Sequence, residues 1–189
     1  KLPRRIGLLD EKLKEVEEIY TRKSSRTQTT FIEQINTQLF VTFFTSKYYT
    51  QSGFFKRNED GTWKFQELFE KRLGMYPAVG DKQILIGRPY GDKQGDQGDA
   101  ILYSANGFET LPTFRGVSST AFGNIDDDPE EEIFVGDGWH SNYGKFAEAR
   151  LSYIYKKNGS YQLKKVFQAE AEHSIEKIVT LENDNKGYV

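Results

Sequence analysis

In FGNIDDDPEEEIFVG (122–136), five oxygen-bearing residues fall at alternate positions: Asn124, Asp126, Asp128, Glu130 and Glu132. A tight turn with acceptors spaced this way can wrap a hard cation, because calcium takes about six to eight oxygen ligands at roughly 2.3–2.6 Å. With Asp127 and Glu131 added, the carboxylates of this stretch repel one another unless a counter-ion or solvent separates them. The competing reading is an acidic turn whose carboxylates spread into water. Pro129, where such turns usually carry Gly, leaves both readings open.

A second group lies in DGWHSNYGKFAEAR (137–150), where Trp139, His140 and Tyr143 form an aromatic, polar loop. His140 is the most eligible general base, with His173 its only counterpart in the chain. No Ser/His/Asp triad or carboxylate pair surrounds it, so packing of the loop, or contact with a ligand, suits the three residues better than catalysis. RPYGDKQGDQGD (88–99) is Gly-rich but lacks the GK[ST] ending of a phosphate cradle, and Asp92, Asp96 and Asp99 would repel phosphate. Asn158-Gly159-Ser160 matches a glycosylation acceptor, yet Asn-Gly is also the chemistry of a tight hairpin turn.

These loops need a scaffold, and the chain repeats one. GFFKRNEDGTWKF (53–65), AILYSANGFETLPTF (100–114) and LSYIYKKNGSYQLKKVF (151–167) each join two apolar runs through a Gly-containing turn followed by an aromatic. Gly61, Gly107 and Gly159 lie 46 and 52 residues apart (107 minus 61, 159 minus 107). A period near 50 in strand-like sequence predicts radially repeated four-stranded blades, because one small sheet cannot bury both of its faces alone. LFVTFF (39–44), ILIG (84–87) and EIFVG (132–136) read as inner strands. MYPAVG (75–80), GVSSTAFG (116–123) and SIEKIVTL (174–181) read as fourth strands closing each hairpin unit. Residues 1–30 differ: Leu9, Leu13, Val16 and Tyr20 fall at helical spacing, and KSSRTQTT reads as a linker. A short amphipathic helix is expected there, packed on the main domain (31–189) or forming an ordered tail, with a dedicated partner-binding helix as the competing reading.

At 189 residues, 37% hydrophobic and 14% aromatic, the chain can bury a core. Its 26 basic and 28 acidic residues nearly cancel, so no global field recruits nucleic acid or an anionic membrane. With no cysteine, disulfides, thiolate catalysis and Cys-ligated metals are excluded. No apolar run approaches the ~20 residues that span a bilayer.

GNIDDDPEEEIFVG resembles the calcium loop and following strand of FG-GAP repeats, which are related to VCBS repeats and build the propellers of integrin alpha-subunits and of many bacterial exported proteins. Phe122-Gly123 matches the FG element, and Gly87-Arg88-Pro89 stands where that family has Gly-Ala-Pro. The resemblance covers roughly residues 37–189. It implies an all-β propeller of four-stranded antiparallel blades, about three of them visible. It also implies Ca2+ held by the side chains of Asn124, Asp126, Asp128 and Glu132 and the carbonyl of Glu130. Asn124 and Glu132 replace the usual first and last Asp. The following junction is degenerate: Glu182, Asp184 and Lys186 take the first, third and fifth positions, and an ammonium cannot ligate a cation.

The resemblance implies an extracellular, cell-surface or periplasmic module that binds a protein or glycan and belongs to a longer chain or assembly. The alternatives are an exported polysaccharide- or lipid-cleaving enzyme on the same scaffold, or a structural subunit.

Overall fold

A computed structural model describes residues 4–12, 14–22, 28–35, 37–46, 49–68, 76–80, 82–88, 98–125, 130–138, 148–171, 173, 175–183 and 186–188. Every regular element among them is a β-strand. The strands form three four-stranded and two two-stranded antiparallel sheets. The chain divides into two compact units, Lys1–Arg72 and Leu73–Val189.

In the first unit the expected helix is a hairpin. β1 (Arg4–Leu9) pairs antiparallel with β2 (Glu15–Arg22). The Asp10 carboxylate nucleates the turn by accepting from Lys12 N (2.8 Å) and Lys14 N (3.0 Å), an arrangement that competes with helix formation. Tertiary packing then decides against the helical spacing. Ile6 and Ile19 are buried with Val41, Phe43 and Phe55 in one cluster, flanked by Leu39, Trp63 and Phe65. A helix over 9–20 would leave Ile6 outside it.

That cluster forms against a sheet ordered β3 (Gln28–Ile35), β4 (Gln38–Ser46), β5 (Tyr49–Arg57), β6 (Trp63–Glu67). β3 begins inside the stretch read as a linker and upstream of residue 37. β4 is apolar on both faces, as its near-continuous sequence requires: Phe40, Val41 and Phe43 are all buried, and Thr42 meets Ser52 across the ladder at 3.0 Å. The first predicted hairpin is the β5–β6 pair, with Gly61 at φ +84° in its turn.

Trp63 Nε1 donates to Glu17 Oε1 at 2.8 Å, and Arg57 pairs with the same carboxylate at 3.2 Å, so the N-terminal hairpin is fastened by polar as well as apolar contacts. Trp63→Phe should keep the packing and lose the hydrogen bond, costing about 1 kcal/mol. Denaturant unfolding measures this; an unchanged midpoint would mean that the bond contributes nothing.

The second unit contains two four-stranded sheets. One is ordered β7 (Tyr76–Val79), β8 (Ile84–Gly87), β9 (Ala100–Ser104), β10 (Gly107–Leu111). The other is ordered β11 (Ser119–Gly123), β12 (Glu132–Gly136), β13 (Glu148–Lys157), β14 (Ser160–Ala171). The remaining two predicted hairpins are β9–β10 and β13–β14. Asn158 (φ +52°) and Gly159 (φ +79°) make the second turn, both in the left-handed region that a two-residue hairpin demands.

Strand membership differs from the sequence reading in one respect. MYPAVG and GVSSTAFG do not close the preceding hairpin; β7 pairs with β8 and β11 with β12, so each leads the next sheet. The tight link at Gly80–Gln83, where Gly80 N donates to Gln83 O at 2.9 Å, favours pairing with the nearest downstream run. SIEKIVTL is likewise no fourth strand. Residues 175–180 have no regular strand structure, and β15 (Leu181–Asn183) follows, paired with β16 (Lys186–Tyr188).

Alternation within the strands gives each sheet two faces. Leu85, Ala100, Leu102 and Leu111 of the β7–β10 sheet share one buried cluster with Val117, Phe122, Ile133, Val135 and Ile154, so the two sheets stack face to face. Phe122 lies over Gly80, where an added Cβ would approach its ring to 3.1 Å. Val117 N donates to Arg88 O at 3.0 Å.

The same junction recurs one step on. Thr180 lies over Gly123, Ile175 lies over Gly136, and Ile175 N donates to Asp137 O at 3.1 Å. Counting back five residues from each contact matches Ile175 with Val117 and Thr180 with Phe122. The 175–180 segment is therefore a strap, laid on the β11–β14 sheet as residues 117–122 are laid on the sheet before it.

Candidate functional site

The acidic loop leaves β11 at Gly123 and enters β12 at Glu132. Asn124, Glu130 and Glu132 of the five candidate ligands are described; Asp126 and Asp128 lie outside the described residues. Glu132 is buried, and its Oε2 accepts from Ile125 N at 2.8 Å, drawing the two ends of the loop together. Asn124 Oδ1 is enclosed at the same neck. Two enclosed oxygens there fit the donor set of a hard cation. The Glu130 side chain is exposed, which suits a residue expected to contribute only its carbonyl. Among the described residues, no group of three or more His, Asp or Glu side chains converges on one point.

Trp139, His140 and Tyr143 lie outside the described residues, as does the 89–97 stretch. Their loops spring from the far ends of β12 and β8. At these ends the structure reveals a feature that the sequence reading missed. Arg88, 4% exposed, pairs with Asp99 at 3.0 Å, and Arg88 N donates to Asp99 O at 2.8 Å. One sheet later Asp137, 5% exposed, takes the place of Arg88: Asp137 N donates to Arg150 O at 2.9 Å. Its Oδ1 accepts from Arg150 N at 2.9 Å, and its Oδ2 lies 3.9 Å from Arg150 Nη1 and 3.7 Å from Arg115 Nε.

The two clamps occupy equivalent positions with opposite signs. Arg150 also stacks over Phe114 at 5.1 Å and reaches Glu148 at 3.5 Å. Burial pushes the Asp137 carboxyl above its ordinary range, and the two guanidiniums oppose that rise only in part. The available signal was the residue following the last glycine of each inner strand, Arg88 after Gly87 and Asp137 after Gly136. It becomes legible only when the repeats are aligned on those glycines.

At the opposite end of the stack, next to the acidic loop, a cleft of about 350 Å³ opens between the β9–β10 and β13–β14 hairpins. Leu102, Ser104 and Glu109 line one wall, and Lys156 and Tyr161 the other. Lys156 Nζ sits 4.9 Å from the Tyr161 ring centroid, and burial raises the phenol above its ordinary value.

No protein-family model matches the chain, and no curated protein matches it.

Proposed function

We propose that the chain is part of a β-propeller of the FG-GAP/VCBS type. In this reading it is a calcium-stiffened binding or scaffolding module outside the cytoplasm, with a protein or glycan as ligand. One observation carries the reading: the contact between the β7–β10 and β11–β14 sheets recurs between the β11–β14 sheet and the strap, where Ile175 N meets Asp137 O as Val117 N meets Arg88 O, and Thr180 lies over Gly123 as Phe122 lies over Gly80. Repetition of a sheet-to-sheet contact is how radially repeated folds bury the faces that one sheet leaves open.

Asn124, Asp126, Asp128 and Glu132 would hold Ca2+ by their side chains and Glu130 by its carbonyl. The ion would neutralise the acidic loop and fix the entry to β12. Trp139, His140 and Tyr143, on the connection after β12, would face the ligand as aromatic and polar anchors.

The calcium part is tested by thermal unfolding with and without a chelator. At a free Ca2+ concentration about thirty times Kd, bound ion should add about 2 kcal/mol to stability. Asp126→Ala with Asp128→Ala should abolish the chelator effect while leaving the chain folded. Identical melting of the wild-type protein in Ca2+ and in chelator would reduce the loop to a solvated turn.

A further inference from the structure

The Asp137 clamp holds more hydrogen-bond donors than its carboxylates use. A guanidinium carries five N–H groups fixed in one plane. Arg115, its side chain 16% exposed, approaches Asp137 with Nε 3.7 Å from Oδ2, too far for a hydrogen bond, and among the described residues its guanidinium makes none. Arg150, 19% exposed, stands 3.9 Å from the same Oδ2, and its guanidinium makes one long hydrogen bond, 3.5 Å to Glu148 Oε2. Asp137 and Glu148 thus balance both positive charges while leaving most of the donors to water.

We infer that Arg115 and Arg150 form a recognition site for an acidic side chain, Asp or Glu, of a protein partner. Three observations support the pair as a site. The two guanidiniums lie 3.7 and 3.9 Å from one oxygen atom, close enough together for a single incoming carboxylate to bridge them. Arg150 is seated over the Phe114 ring, with Cζ 5.1 Å from the centroid, so its fork is set before a ligand arrives. Glu148 shows what the fork accepts: its carboxylate, 43% exposed, reaches Arg150 at the limit of a hydrogen bond and returns to water at little cost when another acid takes its place. The depth of the pair decides between ligand classes. Guanidiniums set back this far are reached by a carboxylate on a slender stem, as in Asp and Glu, whereas the carboxylate of an acidic sugar is fixed directly to a bulky ring. The site rests on the binding-module part of the proposed function and narrows its ligand to a protein. It needs neither Ca2+ nor the aromatic loop, so the chelator experiment can fail without touching it.

The probe is a fluorescein-labelled hexapeptide of alternating Gly and Glu, with a Gly-Gln hexapeptide as control, titrated against the full chain by fluorescence anisotropy at low salt. The Glu peptide should bind about tenfold tighter than the control, and Arg115→Gln should weaken it about tenfold, as loss of one charge-assisted hydrogen bond implies. Arg115→Gln can also loosen the clamp, so its melting temperature is measured beside wild type; if it melts early, a second variant decides. Glu148→Gln, at an exposed position, withdraws the competing carboxylate and should tighten the Glu peptide about threefold, a gain that a purely structural clamp does not give. No binding of the Glu peptide, or equal binding of the two peptides, overturns the assignment. Peptide binding that Glu148→Gln leaves unmoved also overturns it, yet spares the binding-module reading. So does binding of trigalacturonate that Arg115→Gln abolishes, because the acid would then be read on a glycan.

Discussion

Gly136→Val is expected to destabilise the Leu73–Val189 unit by about 3 kcal/mol and to lift the strap from its sheet, since overpacking a filled contact costs about 1–3 kcal/mol and this one is closed by the side chains of Ser119 and Ile175. A Cβ on Gly136 would lie 2.6 Å from Ile175 Cβ and against the Ser119 hydroxyl. Neither neighbour can yield cheaply. Ser119 Oγ donates to Ile175 O at 2.6 Å, Ser118 Oγ donates to the same carbonyl at 3.0 Å, and Ile175 N is held by Asp137 O. Moving the strap would break all three bonds together.

Hydrogen exchange separates this local effect from general damage: amides of 175–180 should lose protection before those of β8 and β9. Gly159→Ala is the control. Nothing lies within 4 Å of a Cβ there, so only the positive φ of +79° resists it, at about 1 kcal/mol. If Gly136→Val and Gly159→Ala cost the same, the close approach of the strap contributes nothing.

Removal of the second clamp is the other large effect. Asp137→Ala should cost about 3 kcal/mol, the low end of what breaking a buried ion pair costs, because Arg115 and Arg150 lose their common partner while Glu148 still reaches Arg150. Asp137→Asn keeps an acceptor for Arg150 N and should cost less.

The two variants also differ in pH dependence. Burial raises the Asp137 pKa in the folded chain. The stability contributed by this group is therefore fully present below the unfolded value of about 3.9 and declines as pH climbs through the raised one. Asn cannot ionise and has no such slope. Wild type should thus lose stability relative to Asp137→Asn as pH rises above about 4, measured by urea unfolding at each pH. A difference that grows with pH would mean that the arginines hold the carboxyl below its ordinary range.

The hairpins were legible in the sequence because their turns carry residues that tolerate positive φ, with Gly61, Gly107 and Gly159 each at φ between +79° and +102°. The inner strands were legible because ILIG and EIFVG are apolar at successive positions, which only strands buried on both faces permit. The helix at 9–20 was misread because Val16 and Tyr20, four residues apart, fit both a helical period and a strand period. The choice between them rested on Ile6, Ile19 and the Asp10 turn, hence on packing against Val41 and Phe55 far along the chain.

Partnership of the leading strands was misassigned for a related reason. Nothing local in GVSSTAFG says whether it pairs backward or forward; the short path into EIFVG decides it. At the candidate site, the acidic loop was visible as a motif. The role of Glu132 in joining the ends of that loop was not, because Ile125 N is a backbone donor with no sequence signature.

The sign reversal between the two clamps has a consequence for folding fidelity. Two sheets with equivalent ladders are liable to exchange strands, since β8 and β12 are both buried apolar runs that end in glycine. If β8 took the place of β12 beside β13, Arg88 would face Arg150; if β12 took the place of β8 beside β9, Asp137 would face Asp99. Each exchange sets a buried charge, Arg88 or Asp137, against a partly buried one of the same sign, where repulsion is screened less than at the open surface. The correct pairing is the only one of the two arrangements that neutralises both positions, so the clamps act as a key that tells otherwise interchangeable repeats apart.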